Sequence, residues 1–210
     1  MRANKKATHK PHQIDITGDI AKLTAYNKKG NPVVALFDAA DIEKVRTFAN
    51  WRAVWDSKFD TAVIESKDFA NKHAVRTPVA AAIMQCSPNA PIHYINGNVL
   101  DNRQSNLKIY DLKSEKNEFT VMDDIATVVT KNRCGVVTGE FLIDRTDLDL
   151  VVNQNHIWLK KRRSSGQPYV VNIDGLLLGH YLFGDETGII AYKNLDPLDN
   201  RRENISLSES

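Results

Sequence analysis

The chain has 210 residues, 42% of them hydrophobic, and a formal net charge of +2 at neutral pH, which is the composition of an ordinary globular protein. No apolar run approaches the ~20 residues that span a bilayer, and no apolar segment follows the basic start, so the sequence predicts neither a membrane span nor a secretory signal. Cys86 and Cys134 lack paired spacing, which argues against a disulfide framework or a zinc site and favours a reducing, cytoplasmic setting.

Positive charge is concentrated at two places. Residues 1–18 are predicted to form a basic, flexible arm, because they offer little apolar surface to bury. Its cations are Arg2, Lys5, Lys6 and Lys10, joined by His9 and His12. The second cluster, residues 160–163, lies at the predicted tip of a hairpin. Such clusters are usually solvated surface and less often a nucleic-acid contact.

The pattern after the arm predicts a hairpin and then a helix. Strands over 22–26 and 33–37 are joined by an Asn- and Gly-containing turn. Asp38 or Asp41 is expected to cap a helix that runs to about Phe48. The remaining predicted elements of the first half are strands over 60–66, 91–95 and 107–110 and helices over 79–86 and 112–119. Pro78 is expected to begin the first of these helices. The residues expected to pack beneath the hairpin are Trp51, Val54 and Trp55.

One polar phrase occurs twice in the chain. Residues 94–107 recur as residues 192–205, with Tyr, Asn, Leu-Asp-Asn-Arg and a second Asn at identical spacing. Upstream, an apolar run that ends in Asp-x-x-Asp is also repeated, at 34–45 and 140–151. Cores repeat apolar residues, so a repeated set of Asn, Asp and Arg is typical of a duplicated site motif. The sequence therefore predicts two related units after the arm.

The predicted units are residues 19–118 and 119–210. The second repeats the order of the first, with a strand over 169–173 and a buried helix over 176–183. It ends a few residues after the second strand of its motif, so we expect it to lack the final helix.

The phrase at 96–107 resembles the signature of phage homing endonucleases of the HNH class. Their typical form is Asp-His-Ile-Asn-Gly-Asn-x-Leu-Asp-Asn-Arg-x-x-Asn-Leu-Arg. The resemblance implies an α+β fold of two tandem HNH-like ββα-metal units with short hairpins and helices. It also implies phosphodiester cleavage, in which an Asp and a later ligand hold a divalent ion and a His acts as general base.

The residues of the first unit depart from that signature at the catalytic step. The Asn that orients the base matches Asn106, but the base itself matches Tyr94, and Tyr has an unperturbed pKa of ~10. The metal-binding Asp matches His93, and the later ligand falls near Glu115. A bulge would be needed to turn His93 to the catalytic face. The second unit has Tyr192 and Ala191 at the two positions, so we expect neither unit to be a nuclease centre.

Basic residues near the motif are the candidates for DNA phosphate contacts. They are Arg103, Lys108, Lys160, Lys161, Arg162, Arg163, Arg201 and Arg202. The amides and carboxylates of the motif are equally well explained as a scaffold, because such side chains stabilise turns. They are Asn96, Asp101, Asn102, Asn194, Asp199, Asn200 and Asn204.

The resulting hypothesis is a catalytically inactive, HNH-derived regulator, encoded by a phage or mobile element, that binds double-stranded DNA in the cytoplasm of a host bacterium. It needs no metal and no other cofactor. The first alternative is an active nicking enzyme that uses Mg²⁺ or Mn²⁺ with His93 and Asn106. The second alternative is a phage inhibitor that binds a host protein.

Overall fold

A computed structural model describes residues 10–70, 73–152, 156–184 and 187–208. The chain divides after Tyr110 into two compact units. This division falls before the predicted boundary at 118/119, because residues preceding that boundary bond into the second unit. The Asn117 amide donates to the carbonyls of Val129 and Trp158 and accepts from the Trp158 N–H.

The first unit opens with an antiparallel three-stranded meander. Its strands are β1 (Gln13–Thr17), β2 (Ile20–Tyr26) and β3 (Pro32–Asp38). The strands predicted at 22–26 and 33–37 are therefore confirmed. Alternate residues of β2 and β3 face the core, as the period of two requires. The predicted flexible arm needs correction, because its last part is β1; residues 1–9 lie outside the described part.

A helical turn and a second sheet follow. These elements are α1 (Ile42–Arg46), β4 (Trp51–Asp56), β5 (Thr61–Ala70), β6 (His73–Pro78) and α2 (Val79–Met84), with β4, β5 and β6 forming an antiparallel sheet. Trp51 is buried and donates its indole N–H to the Val45 carbonyl on α1. Trp55, which was expected to be packed, is 67% exposed. Pro78 stands just before α2 and not at its first position.

A short hairpin completes the first unit. Strands β7 (Ile92–Tyr94) and β8 (Leu107–Ile109) pair antiparallel and enclose the polar phrase. The apolar core of the unit joins the meander, the second sheet, α2 and this hairpin, and its largest members include Phe37, Leu23 and Ile83.

The second unit repeats this order. Its elements are β9 (Phe119–Met122), β10 (Ile125–Lys131), β11 (Val137–Asp144), α3 (Leu148–Val152), β12 (Trp158–Arg162), β13 (Pro168–Asn172), α4 (Leu178–Phe183), β14 (Ile189–Tyr192) and β15 (Ile205–Ser208). Strands β9–β11 form a meander, and β12–β13 and β14–β15 are hairpins. Trp158 repeats the role of Trp51, since its indole N–H donates to the Val151 carbonyl.

The predicted α+β, ββα fold class is wrong. Of the described residues, 44% are in strands and 16% in helices, and the strands form six small antiparallel sheets. A ββα unit needs a helix after β8, but the segment predicted as helix 112–119 is turn and extended chain that runs into β9. Its only apolar residues are Leu112 and Phe119, one at each end, so a helix there would have no apolar face to bury. None of the described helices is long and apolar enough to cross a membrane.

Candidate functional site

The two copies of the repeated phrase form nearly identical loops. The first repeat loop, residues 94–107, is enclosed by β7 and β8, and the second repeat loop, residues 192–205, by β14 and β15. The first loop contains Asn106, a candidate catalytic residue, and both loops contain the asparagines and the aspartate that are candidate scaffold groups.

A buried asparagine closes each loop. Asn106 is 5% exposed, and its carbonyl oxygen accepts the Asn96 backbone N–H at 2.8 Å. Its amide donates to the Asp101 carbonyl at 2.7 Å. In the second loop Asn204 makes the same two bonds, to the Asn194 N–H at 2.9 Å and the Asp199 carbonyl at 2.7 Å. Both polar atoms of the Asn106 side chain, the predicted orienting group, are therefore hydrogen-bonded to the backbone of the loop.

The aspartate of the first loop is held by an arginine two residues later. Asp101 is 3% exposed, and its two oxygens accept from Arg103 Nε at 2.8 Å and Nη2 at 2.7 Å. Asn96 donates its side-chain amide to the same carboxylate at 2.9 Å. These hydrogen bonds, the arginine's above all, hold the pKa of Asp101 below its usual value.

The second loop repeats this carboxylate clamp. Asp199 accepts from Arg201 at 2.8 and 2.7 Å and from the Asn194 amide at 2.8 Å. The pKa of Asp199 is lowered and that of Arg201 is raised, each mainly by the hydrogen bonds between them. Bidentate pairs of this kind are strong and directional. Arg103 and Arg201 therefore bind the aspartate of their own loop, and a phosphate would have to compete with that aspartate for them.

Backbone bonds dock each loop onto the meander of its unit. In the first unit the Leu36 N–H on β3 donates to the Leu100 carbonyl, and the Asn102 N–H donates back to the Leu36 carbonyl, both at 2.7 Å. In the second unit Leu142 on β11 makes the same pair of bonds with Leu198 and Asn200, both at 2.8 Å. The buried Asn102 and Asn200 thus mark the docking point.

The two aspartates of the upstream Asp-x-x-Asp, Asp38 and Asp41, form hydrogen bonds to the first repeat loop and do not cap a helix. Neither Asp38 nor Asp41 makes a side-chain cap bond. Asp38 accepts the Gln104 backbone N–H at 2.8 Å, and the buried Asp41 accepts the Gln104 side-chain amide at 2.8 and 2.9 Å. Lys44 balances the charge of Asp41 at 2.7 Å. The predicted helix caps are therefore corrected to loop anchors.

The second unit uses an arginine where the first uses glutamine. Asp144 accepts the Arg202 backbone N–H at 2.7 Å, and Asp147 accepts from Arg202 Nε and Nη2 at 2.9 and 2.8 Å. One arginine thus supplies both the hydrogen bonds and the balancing charge that Gln104 and Lys44 supply together in the first unit. The sequence shows the repeated Asp-x-x-Asp, but its hydrogen bonds to the repeat loop were not predicted.

The remaining predicted catalytic residues lie on or near β7. Tyr94 is 7% exposed and packs edge-on against Phe59, with ring centroids 5.5 Å apart. His93 points to the opposite face, where its ring lies 5.6 Å from that of Tyr110. Lys108 on β8 places its ammonium 5.8 Å from the same Tyr110 ring. Within the described ranges, no three His, Cys, Asp or Glu side chains lie close enough together to hold a metal ion.

The second basic cluster has a different environment from the loop arginines. Lys160, Lys161 and Arg162 end β12 and Arg163 begins the turn to β13, and the last three are exposed. Arg162 donates to the Gly166 carbonyl at 3.0 Å, and the Arg163 guanidinium lies 5.3 Å from the centre of the Tyr169 ring. Among the described residues, none of these four cations makes an ion pair with a carboxylate.

Of the sequence-predicted residues, the structure brings each loop's asparagines, aspartate and arginine together, whereas the cluster at 160–163 belongs to the β12–β13 hairpin, with Arg163 on the side that faces the second repeat loop. Comparison with protein-family models, with curated proteins and with solved structures gives no match for this chain.

Proposed function

We propose that this protein binds double-stranded DNA without cleaving it and that the β12–β13 hairpin contacts the phosphate backbone. The repeat loops serve as scaffold in this proposal. The likeness of their sequence to the signature of phage HNH homing endonucleases favours DNA as the polyanion, although the fold is different.

The observation that carries the proposal is the contrast between two sets of cations. Arg103, Arg201 and Arg202 are each bound by an aspartate of their own unit. The cations at 160–163 are consecutive and make no carboxylate pair within the described part of the chain. A phosphate contact by a loop arginine would first have to break a bidentate pair with an aspartate, whereas the cations of the hairpin have no such carboxylate pair to break and release counterions on binding.

The pleat of β12 presents these cations on both faces of the hairpin. Lys161 lies opposite Tyr169 on β13, and Lys160 lies opposite Val170. The stem of Lys160 passes over Gly139, where an added Cβ would lie 2.0 Å from its ammonium nitrogen. Lys160 is thus partly held against the meander, and we assign the main contacts to Lys161, Arg162 and Arg163.

The contacts of the first loop support the absence of cleavage. Asp101 and Asn106 have their polar atoms bonded inside the loop. The position of the general base holds Tyr94, which is buried, and Tyr with its ordinary pKa of ~10 is a poor base at neutral pH. A His93→Ala variant tests the nicking alternative, because an enzyme that uses His93 would lose its metal-dependent activity in this variant.

Fluorescence anisotropy with a labelled duplex tests the proposal. The double variant Lys161→Ala/Arg162→Ala is expected to bind about tenfold more weakly, and its plot of log affinity against log salt should be shallower by roughly 1.8, since each phosphate contact contributes about 0.9. The control is Lys28→Ala/Lys29→Ala, which removes the same charge from an exposed turn of the first unit and should bind like the wild type.

Equal weakening in both double variants would show that net charge, and not the hairpin, governs binding. No duplex binding by the wild type at moderate salt would overturn the proposal. In that case a host protein that co-purifies with the chain would favour the inhibitor alternative.

A further inference from the structure

The second unit contains a cavity of about 640 Å³ that lies beside the hairpin. Its walls come from the start of β13, from α4, from β14 and from the second repeat loop, and include Tyr169, His180, Tyr192, Leu177 and Pro197. This volume is in the range of small-molecule sites, which is about 300–1,000 Å³. Asn194, Asp199, Arg201 and Asn204, which hold the second repeat loop together, do not line this cavity.

A difference between the hairpin loops of the two units accounts for the open space. In the first unit β4 and β5 are joined by four residues, 57–60, which include Phe59 and end with Asp60 at φ +51°. Phe59 covers Tyr94. In the second unit β12 and β13 are joined by residues 163–167, which include no aromatic residue; the Arg163 N–H bonds to the Gln167 carbonyl, and Gly166 has φ +86°.

The second loop has no counterpart of Phe59 to cover the second tyrosine. Tyr192 occupies the place of Tyr94, since each is the first residue of its repeat loop and pairs with the last. Tyr94 is buried, whereas Tyr192 is half-buried and forms a wall of the cavity. Because the second unit has no counterpart of Phe59, the ring of Tyr192 is more exposed than the ring of Tyr94.

The walls combine aromatic rings with one cation. Arg163 lines the cavity with its guanidinium 5.3 Å from the centre of the Tyr169 ring. Among the residues that the structure describes, those that line the cavity include no carboxylate; Asp196 lies near enough to affect Tyr192 electrostatically but does not line the space. His180 Nε2 lies 2.9 Å from the Gly188 carbonyl, an acceptor only, so Nε2 must carry the proton. In the neutral ring Nδ1 is then an acceptor.

The rim of the cavity holds a strained residue. Leu195 has φ +64° and is 85% exposed, while the same position of the first loop is Gly97 at φ +74°. A left-handed backbone is unfavourable for an L-residue, and an exposed leucine gains little packing in return. Strain retained at a cavity rim is typical of functional sites.

We propose that this cavity binds one nucleotide unit, with the base against Tyr169 and Tyr192 and the phosphate on Arg163. Aromatic faces take any base by stacking, and guanidinium matches phosphate. The nucleotide belongs either to an unpaired strand end or to a free mononucleotide. Only the strand-end form rests on the DNA-binding function proposed above.

Calorimetric titration of the full chain tests this site. The ligands are deoxyadenosine monophosphate, deoxyadenosine, inorganic phosphate and a short 5′-phosphorylated single strand. The mononucleotide is expected to bind about tenfold more tightly than the nucleoside, because it adds a charge-assisted bond to Arg163. Phosphate alone should bind weakest, since it cannot stack.

Two variants locate the binding. A phenylalanine inserted between Ser165 and Gly166 places an aromatic side chain in the loop, as Phe59 does in the first unit, and is expected to weaken mononucleotide binding more than tenfold. Tyr169→Leu should do the same without changing loop length. The matched control is Tyr26→Leu, which removes a half-buried tyrosine with a lysine 5.3 Å from its ring in the first unit. Circular dichroism checks that each variant is folded.

The outcomes separate the two proposals. Tighter binding of the single strand than of the mononucleotide, lost on insertion, identifies a strand end; equal or weaker strand binding identifies a free nucleotide. The cavity proposal is overturned if neither ligand binds, or if both cavity variants bind as the wild type does. A wild type that binds both duplex and mononucleotide supports both proposals, and a wild type that binds mononucleotide but no duplex overturns only the DNA-binding function.

Discussion

Replacing Asn106 by alanine removes the bonds that close the first repeat loop. The variant loses the contact with the Asn96 N–H and the contact with the Asp101 carbonyl, at 2.8 and 2.7 Å. Because the site is buried, water cannot easily replace the lost partner. We therefore expect the loop to lose its fixed shape and the first unit to lose stability.

The size of this loss follows from the two bonds and from the groups left behind. Each hydrogen bond contributes about 1 kcal/mol net, and leaving a buried carbonyl unpaired adds about 1–2 kcal/mol. Asn106→Ala should therefore lower the free energy of unfolding of the first unit by about 3 kcal/mol. For a unit of this size that corresponds to a fall in Tm of roughly 12–24 °C.

Urea unfolding followed by circular dichroism measures the loss, and hydrogen exchange at the Asn96 amide locates it. The control is Asn98→Ala in the same loop, where an exposed side chain accepts the Leu100 N–H at 3.0 Å. Water can replace that bond, so we expect a cost of about 0.5 kcal/mol. If Asn106→Ala costs no more than Asn98→Ala, the loop asparagine is not a structural clamp and our reasoning fails.

Three further predictions concern other contacts of the two units. The hydrogen bonds from Arg103 lower the pKa of Asp101 in the folded state. The stability that this pair contributes is therefore present above the unfolded pKa of ~3.9 and is lost as pH falls through the folded pKa. Urea midpoints measured between pH 2.5 and 7 should fall steeply at the acid end for the wild type and less steeply for Asp101→Asn. Trp158→Phe should cost about 1–2 kcal/mol, because it removes a buried indole hydrogen bond as well as volume; an unchanged urea midpoint would contradict this. Leu195→Gly should raise the stability of the second unit by up to about 1 kcal/mol, because Gly97 shows that the position favours glycine; a fall in thermal midpoint would refute the strain argument.

Local patterns were sufficient to predict the repeat and several of the strands. The alternation of residues 22–26 and 33–37 predicted β2 and β3, and the turn between them is closed by Asn27, whose side chain accepts the Lys29 and Asn31 N–H groups. For the loop asparagines and aspartates the sequence supported a scaffold role and a direct ligand contact equally, and their side chains form hydrogen bonds inside each loop. These features depend on neighbours a few residues away.

Contacts between distant residues could not be predicted in this way. Asp38 and Asp41 looked like helix caps because Asp before an apolar-periodic stretch is typical of one. Their partner is Gln104, more than 60 residues later, and only the folded chain brings them together. The cavity was missed for a related reason, since it depends on the absence of an aromatic residue from a loop whose counterpart is in the other unit.

The error in fold class came from the resemblance and from one wrongly predicted helix. The HNH signature implied a helix after β8, and the helix predicted over 112–119 matched it, although only the ends of that segment are apolar. The same sequence phrase here closes a hairpin loop and docks it on a β-meander. A shared polar phrase therefore specifies the loop and its internal bonds, while the elements around it set the fold.

The most direct test of the central claim is to incubate the pure protein with supercoiled plasmid, with and without manganese, and to run the products on native and denaturing gels. We predict a retarded plasmid on the native gel and intact supercoiled DNA after denaturation, in both conditions. A metal-dependent open-circle product would contradict the claim that the repeat loops are scaffold, and a plasmid that is neither retarded nor cut would contradict DNA binding.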